Sequence, residues 1–482
     1  MNPLMALLPP LLLIPFIIVF GEKQRNLREA SIVIAGGILF WLNLLILQDY
    51  TAGQRLASER FVLFNELSIY LNAEPLGILF ALLASFLWIV TTLYSIGYMR
   101  AHGEKNQTRF YLCFALAIAA VMAAAYAGNL FTLFIAYEVI TLSTFPLVTH
   151  AGTEKARRAG RIYLAVLMGG SIVLLLPAMI LIWWLTGRMD FVSGGVFVDA
   201  EDNALLILLL MALVILGTAK AAVMPFHRWL PNAMVAPTPV SALLHAVAVV
   251  KTGVFLILKV VVYIFGFELL SELKGLIILQ LVAALTLLLG SLIAMTKDNL
   301  KERLAYSTIS QLAYIVLAAL LVNPLAADAA ALHIVTHAFG KITLFFCAGA
   351  IMVALHKKAI SELSGIGRQM PFTMTAFFIA ALSIIGLPPL AGLWSKLAIA
   401  QGALQVDQLW VIAVLMLSSL LNIAYLLPIP LRAFFAKTNN SSQLALKEAP
   451  TACLLAIGVT ALGCIALFFT IDYISLILKM MQ

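Results

Sequence analysis

Glu138, Lys220, Lys251, Lys341 and Lys396 lie within long apolar stretches of a chain that otherwise keeps its charges in short connections. On insertion scales, a Lys or Asp centred in hydrocarbon costs about 3 kcal/mol. A chain that keeps such groups uses them to pair, or to hold and move charge. Spacing favours movement. His333, His337 and Lys341 fall four apart in ALHIVTHAFGKITLFF, so on a helix they stack along one face and could line a hydrated path. His245 precedes Lys251 by six residues in SALLHAVAVVKTGVFLILK. That is about 9 Å along a helix axis, a gap that water can bridge, and imidazole both donates and accepts near neutrality. Blander readings stand beside these: a structural ion pair or a neutral acid at Glu138, snorkelling of Lys220 to the surface, and a merely satisfied core imidazole at His245. Lys259 lies near the end of its apolar run and is expected to snorkel. His227 and Arg228 fall in a loop-like stretch suited to headgroup or subunit contacts.

These residues need a scaffold, and the composition says which kind. Of 482 residues, 63% are hydrophobic and 11% charged, too apolar for water to be the only solvent. The apolar runs predict an all-α polytopic membrane protein of about 14 transmembrane helices, from a first span at 3–20 to a last at 452–478. The N-terminal run lacks a basic leader and is broken by Pro9 and Pro10, so it reads as a first span and not as a cleaved signal. Cys113, Cys347, Cys453 and Cys464 are scattered without metal or disulfide spacing.

The net charge of +8 could point to nucleic acid, but its distribution points to topology. With the N-terminus outside, connections predicted to face inward hold 20 Lys and Arg, and those facing outward hold 5. That alternation is the positive-inside rule for a multi-pass protein of a prokaryotic plasma membrane. The outward connections 48–75 and 187–203 are longer and acidic, with Asp49, Glu59, Glu66, Glu74, Asp190, Asp199, Glu201 and Asp202. They read as solvated loops, short hairpins or caps.

Two stretches break the helical pattern at membrane depth, GTAKAAVMPFHRWLPNAMVAPTP (217–239) and GLPPLAGLWSK (386–396). Proline removes a donor and frees the carbonyl four residues back, which lipid cannot satisfy. Each break adjoins a lysine, Lys220 in one and Lys396 in the other. Paired breaks of this kind predict two inverted five-helix repeats, spans 4–8 (110–264) and 9–13 (275–431). Spans 1–3 (1–109) precede them and a C-terminal span (452–482) follows, all within a single transmembrane domain.

In these same residues the chain resembles the antiporter-like subunits shared by Mrp-type cation/proton antiporters and the membrane arm of respiratory complex I. The resemblance covers roughly 60–430. It rests on Glu138, AKAAVMPFHRWLPNAMVAPTPVSALLHAVAVVKTGVF (219–255), HAFGKITLFFCAGAI (337–351) and GLPPLAGLWSK. It implies Glu138 and Lys220 as a modulating pair, Lys251 as the central relay and Lys396 as the terminal site, and the chain looks like the Mrp D-type subunit or its smaller complex I relatives, with Lys396 favouring the D-type. The function implied is proton translocation in a multi-subunit Na+/K+–proton antiporter, with other membrane subunits as partners. Two alternatives are the proton-pumping arm of a quinone- or hydrogen-linked oxidoreductase and the membrane subunit of an inorganic-carbon uptake complex. No cofactor of its own and no catalytic chemistry are expected, because the chain carries neither a nucleotide-binding glycine loop nor redox ligands.

Overall fold

The computed structural model describes residues 1–64, 67–197, 203–436 and 445–479. Glu66, Asp199, Glu201 and Asp202 of the acidic connections lie outside the described residues. The principal helices are α1 (Pro3–Phe20), α2 (Arg25–Thr51), α3 (Pro75–Ala101), α4 (Gln107–Ala125), α5 (Leu130–Val148) and α6 (Glu154–Thr186). Then come α7 (Ala204–Gly217), α8 (Thr238–Phe265), α9 (Leu276–Thr296), α10 (Leu300–Ala319) and α11 (Pro324–Leu355). The last are α12 (Pro371–Ile385), α13 (Gly392–Gln405), α14 (Leu409–Phe435), α15 (Thr451–Phe469) and α16 (Ile471–Lys479).

Among the described residues, eleven helices are long and apolar enough to cross a membrane. The other predicted spans fall on α7, α10 and α12, which are shorter or more polar. The fold is the expected all-α polytopic one. Helix starts carry their own signals. Asn129, Asn299 and Asn323 accept hydrogen bonds from the third residue onward, at Thr132, Glu302 and Ala326. Pro75 and Pro324 occupy the first turns of α3 and α11, where no donor is lost.

Helix α8 is wholly buried over its apolar window, whereas only 33% of the α2 window is buried. The titratable row thus lies at the centre of the bundle. The rim is left to helices such as α2, whose outer leucines and isoleucines meet lipid. The C-terminal α15 returns to the centre, with Cys453 against Gly97 of α3 and Gly463 against Phe339 of α11.

Connections expected on one side do meet. Residues of 98–104, 151–155, 231–238, 299–302 and 352–358 share one cavity at what we call the basic face. At the opposite face, Asn129 bridges Asp190, Leu71 bridges Ala127, and Val192 N–H donates to Tyr263 O. The 48–75 connection contains a hairpin, β1 (Phe61–Phe64) antiparallel to β2 (Leu67–Ile69).

Both helix breaks are present. Helix α7 stops at Gly217, where the 217–239 break begins, and Lys220 sits inside the break. Thr218 leaves helical backbone and Ala222 takes a left-handed φ of 55°. Tertiary partners satisfy the freed groups, as lipid depth demands. Trp229 Nε1 donates to Ala219 O, Met224 N–H to Thr286 Oγ1, and Lys220 N–H to the Tyr137 hydroxyl. In the second break α12 ends on Gly386, whose φ of 93° suits glycine. The chain re-enters helix at Gly392, whose Cα packs directly against Ser383 O and leaves no room for a side chain.

Candidate functional site: a buried row of lysines and histidines

Helix α8 brings Lys251 to the middle of the bundle, fully buried, and α11 brings His337 to meet it. Lys251 Nζ lies 2.6 Å from His337 Nδ1. One turn along α11 the His337 and His333 rings are roughly parallel, with centroids 5.9 Å apart. His333 Nδ1 is 2.8 Å from Ser395 Oγ, next to Lys396. The Tyr314 ring of α10 spans this gap. Its centroid is 5.5 Å from that of His333 and 4.9 Å from Lys396 Nζ. Lys396 donates to Ile384 O at 2.9 Å and Ile385 O at 3.0 Å, the carbonyls that the α12 break sets free. Break and lysine are one device: the interrupted helix supplies acceptors that a buried ammonium needs.

In the first half Lys220 has an analogous setting. Its Nζ donates to Tyr137 O at 2.5 Å and Thr141 Oγ1 at 2.7 Å, and it lies 3.0 Å from the Tyr137 ring centroid. Glu138 follows Tyr137 on α5 and is near enough for its charge to act on Lys220. Both Glu138 carboxylate oxygens are shielded from water and have no hydrogen-bond partner among the described residues. No ion pair joins the two among the described residues; Lys220 faces Tyr137 and Thr141 instead.

Gly253, two residues beyond Lys251, lets α8 pack directly on the break at Lys220. A Cβ there would lie 2.6 Å from the Lys220 carbonyl carbon and 2.8 Å from its Cβ. Gly253→Ala is therefore expected to push α8 off the break, at a cost of about 1–3 kcal/mol as overpacking. A melting curve of the assembled complex checks this, and an unchanged Tm would contradict it.

His245 lies on α8 in a π-helical turn, Leu243–Val247, of the kind that often marks functional segments. Its ring packs on Phe345 at 4.5 Å, and neither ring nitrogen has a partner among the described residues. No hydrogen bond joins it to Lys251 among the described residues. Lys341 leaves the His333–His337 line and donates to Ser307 Oγ at 2.6 Å, which is 2.8 Å from the Tyr425 hydroxyl. The structure thus pairs Lys251 with His337, lines His333 and Lys396 up beyond them, and sets Lys220, Glu138, His245 and Lys341 apart from that line. Sequence reasoning missed Tyr137, Thr141, Ser307, Tyr314 and Ser395, common residue types with no distinguishing spacing.

Lys259 departs from expectation. It does not snorkel: it is fully buried, 2.9 Å from Glu74 Oε2, donating to Ala127 O at 2.9 Å with the Phe191 ring at 4.0 Å. The start of α3 and the 187–197 connection cover this end of α8 and bar the way to solvent. Lys259→Met would leave Glu74 buried and unpaired, a loss of about 3–5 kcal/mol. The expected result is a lower Tm and lower yield of complex, and wild-type values for both would contradict it.

A helical membrane bundle whose centre holds a row of buried amines and imidazoles, flanked by two helix breaks, defines an ion-handling class of multi-pass membrane protein. Residues 127–422 match the family model described as NADH:quinone oxidoreductase/Mrp antiporter, TM. The chain belongs to that family. Among curated relatives, an NADH-quinone oxidoreductase subunit N of Desulforudis audaxviator is 32% identical over 364 residues, 74% of this chain and 71% of that one. An NAD(P)H-quinone oxidoreductase subunit 5 of Paulinella chromatophora is 31% identical over 410 residues, 79% of this chain but only 59% of its own length. The chain thus spans less than two thirds of such subunit 5 relatives. Two solved structures share the fold over 99% of this chain. A chain of the archaeal membrane-bound sulfane sulfur reductase has a TM-score of 0.86, 22% identity and 96% of its length covered. A chain of the Mrp complex from Dietzia sp. has 0.85, 20% and 97%.

Proposed function

We propose that this chain is the proton-translocating subunit of a multi-subunit monovalent cation (Na+ or K+)/proton antiporter. Protons pass among Glu138, Lys220, His245, Lys251, His333, His337, Lys341 and Lys396 and the water between them. The observation that carries this reading is the 2.6 Å contact of Lys251 with His337. Two buried bases this close share one proton more readily than they hold two, so the pair is suited to passing charge. From His337 a proton reaches His333 through water, then Ser395 and the Lys396 side. On the other side, Lys220 exchanges hydroxyl and carbonyl partners for the Glu138 carboxylate when it is charged. Lys251 is the centre, Lys396 the terminal site, and Glu138 with Lys220 the modulating pair.

The two breaks at matching places support reading 110–264 and 275–431 as inverted repeats, flanked by 1–109 and 452–482. The basic face is the inner one of a prokaryotic plasma membrane, with the N-terminus outside. Partners are other membrane subunits of the same assembly.

A second reading places the same chain in the membrane arm of an oxidoreductase, where the site would work identically and redox chemistry would belong to partner subunits. The subunit N relative favours it. Mass spectrometry of the native complex separates the two. Membrane subunits without redox groups are expected for the antiporter, and flavin-, iron–sulfur- or nickel-bearing subunits would replace that reading with the second. A soluble zinc-containing partner would point instead to inorganic-carbon uptake.

A further inference from the structure

At the face opposite the basic one, the connections that follow α8, α10 and α13 meet the starts of α9 and α14 around a cavity of about 460 Å³. Its wall includes Lys274, Ile277, Gln280, Asp407, Gln408 and Trp410. Gln280 is buried, and its Nε2 donates to Leu320 O at 2.7 Å. That bond fixes which way the amide points, because only its nitrogen can donate. The Gln280 Oε1 is left shielded from water and without a hydrogen-bond partner among the described residues, and so is the Oε1 of Gln408. Buried acceptors are nearly always paired, so two orphans on one cavity wall need a donor from outside the chain. The Asp407 carboxylate lines the same cavity and adds negative charge. A bare Na+ or K+ there would meet these oxygens but also the Lys274 ammonium. A zwitterion with N–H donors at one end and an anion at the other suits all four groups.

The cavity also lies where membrane lipid can reach it. Gln280 is four residues into α9, about 6 Å from its start. Ile277 is 40% exposed, and Leu281 and Leu285 follow at steps of four, 47% and 56% exposed. This apolar stripe runs about 12 Å along the helix, most of the depth of one leaflet's tails, about 15 Å. Trp410 is of the residue type that favours headgroup depth.

We propose that this cavity binds the headgroup of a phosphatidylethanolamine. The primary ammonium donates to Asp407 and to the Gln280 and Gln408 oxygens, the phosphate faces Lys274, and one tail lies along the Ile277–Leu285 stripe. Phosphatidylcholine, whose ammonium is fully methylated, has no N–H to offer these acceptors. Phosphatidylglycerol has no cation at all.

The test is native mass spectrometry of the intact complex, delipidated in detergent and equilibrated with an equimolar mixture of the dioleoyl forms of these three lipids. The parent is expected to retain one more phosphatidylethanolamine per copy of this chain than Asp407→Asn does. In titrations Asp407→Asn is expected to bind that molecule about tenfold more weakly, the scale of a hydrogen bond to a charged group. Asparagine keeps the side chain's size and tolerates the left-handed φ of 55° at this position, so the fold is preserved. Lys274→Met is expected to show a similar loss, and Asp472→Asn, which does not line the cavity, none. Equal retention of phosphatidylethanolamine by the parent, Asp407→Asn and Lys274→Met would overturn the proposal. So would a lost molecule that proves to be phosphatidylcholine or phosphatidylglycerol. The four native cysteines are buried, so Ile277→Cys can be crosslinked selectively. A crosslink from it to a neighbouring subunit in the native complex would give this surface to that subunit and also overturn the lipid site.

Discussion

Replacing Lys251 with alanine lowers ion-coupled pH change in vesicles by about a hundredfold or more, the scale on which a positioned proton-transfer group acts. The complex still assembles. The amine occupies the centre of α8 and its contact is His337, so its removal interrupts the row at its middle. Assembly survives because the change removes a group that is costly to bury. What it leaves behind is one imidazole nitrogen without its partner, a loss of about 1–3 kcal/mol. Blue-native gels report assembly and a pH-sensitive dye reports transport. Full transport in an assembled Lys251→Ala complex would contradict the assignment.

Lys220→Arg is expected to lose transport to a similar extent while keeping its charge. Arginine does not give up its proton within proteins, and its planar fork does not match a point donor held between Tyr137 O and Thr141 Oγ1. The substitution therefore separates two roles. If Lys220 serves only as a fixed cation beside Glu138, Lys220→Arg transports normally. If it must load and release a proton, transport falls about a hundredfold in a complex that still assembles. Dye-monitored flux read beside a melting curve distinguishes the two, because a purely structural defect would lower both together.

Much of this was legible in the sequence. Hydropathy places the spans, the alternation of Lys and Arg orders the connections, and proline with glycine marks both breaks; all three are local properties. Lys251 and Lys396 stand where their apolar surroundings placed them, and His333 and His337 share a face because four residues make about one turn. What was not legible depends on distant partners. The prolines mark the 217–239 break, but not what holds it, because Thr286 and Tyr137, from elsewhere in the chain, join Trp229 in pairing the freed backbone. The π-helical turn at His245 has no proline or glycine to mark it. Lys259 was read as snorkelling from its position near a span end, but Glu74 and Phe191, far away in the chain, enclose it. Tyr314 and Ser395 matter only because α10 and α13 carry them to His333.

The pairing of Lys251 with His337 is the hinge of the mechanism, and a double-mutant cycle on proton flux tests it most directly. If the two residues form a single transfer step, Lys251→Ala and His337→Ala together lose no more flux than either does alone. Losses that multiply, or wild-type flux in either assembled single variant, would contradict the account.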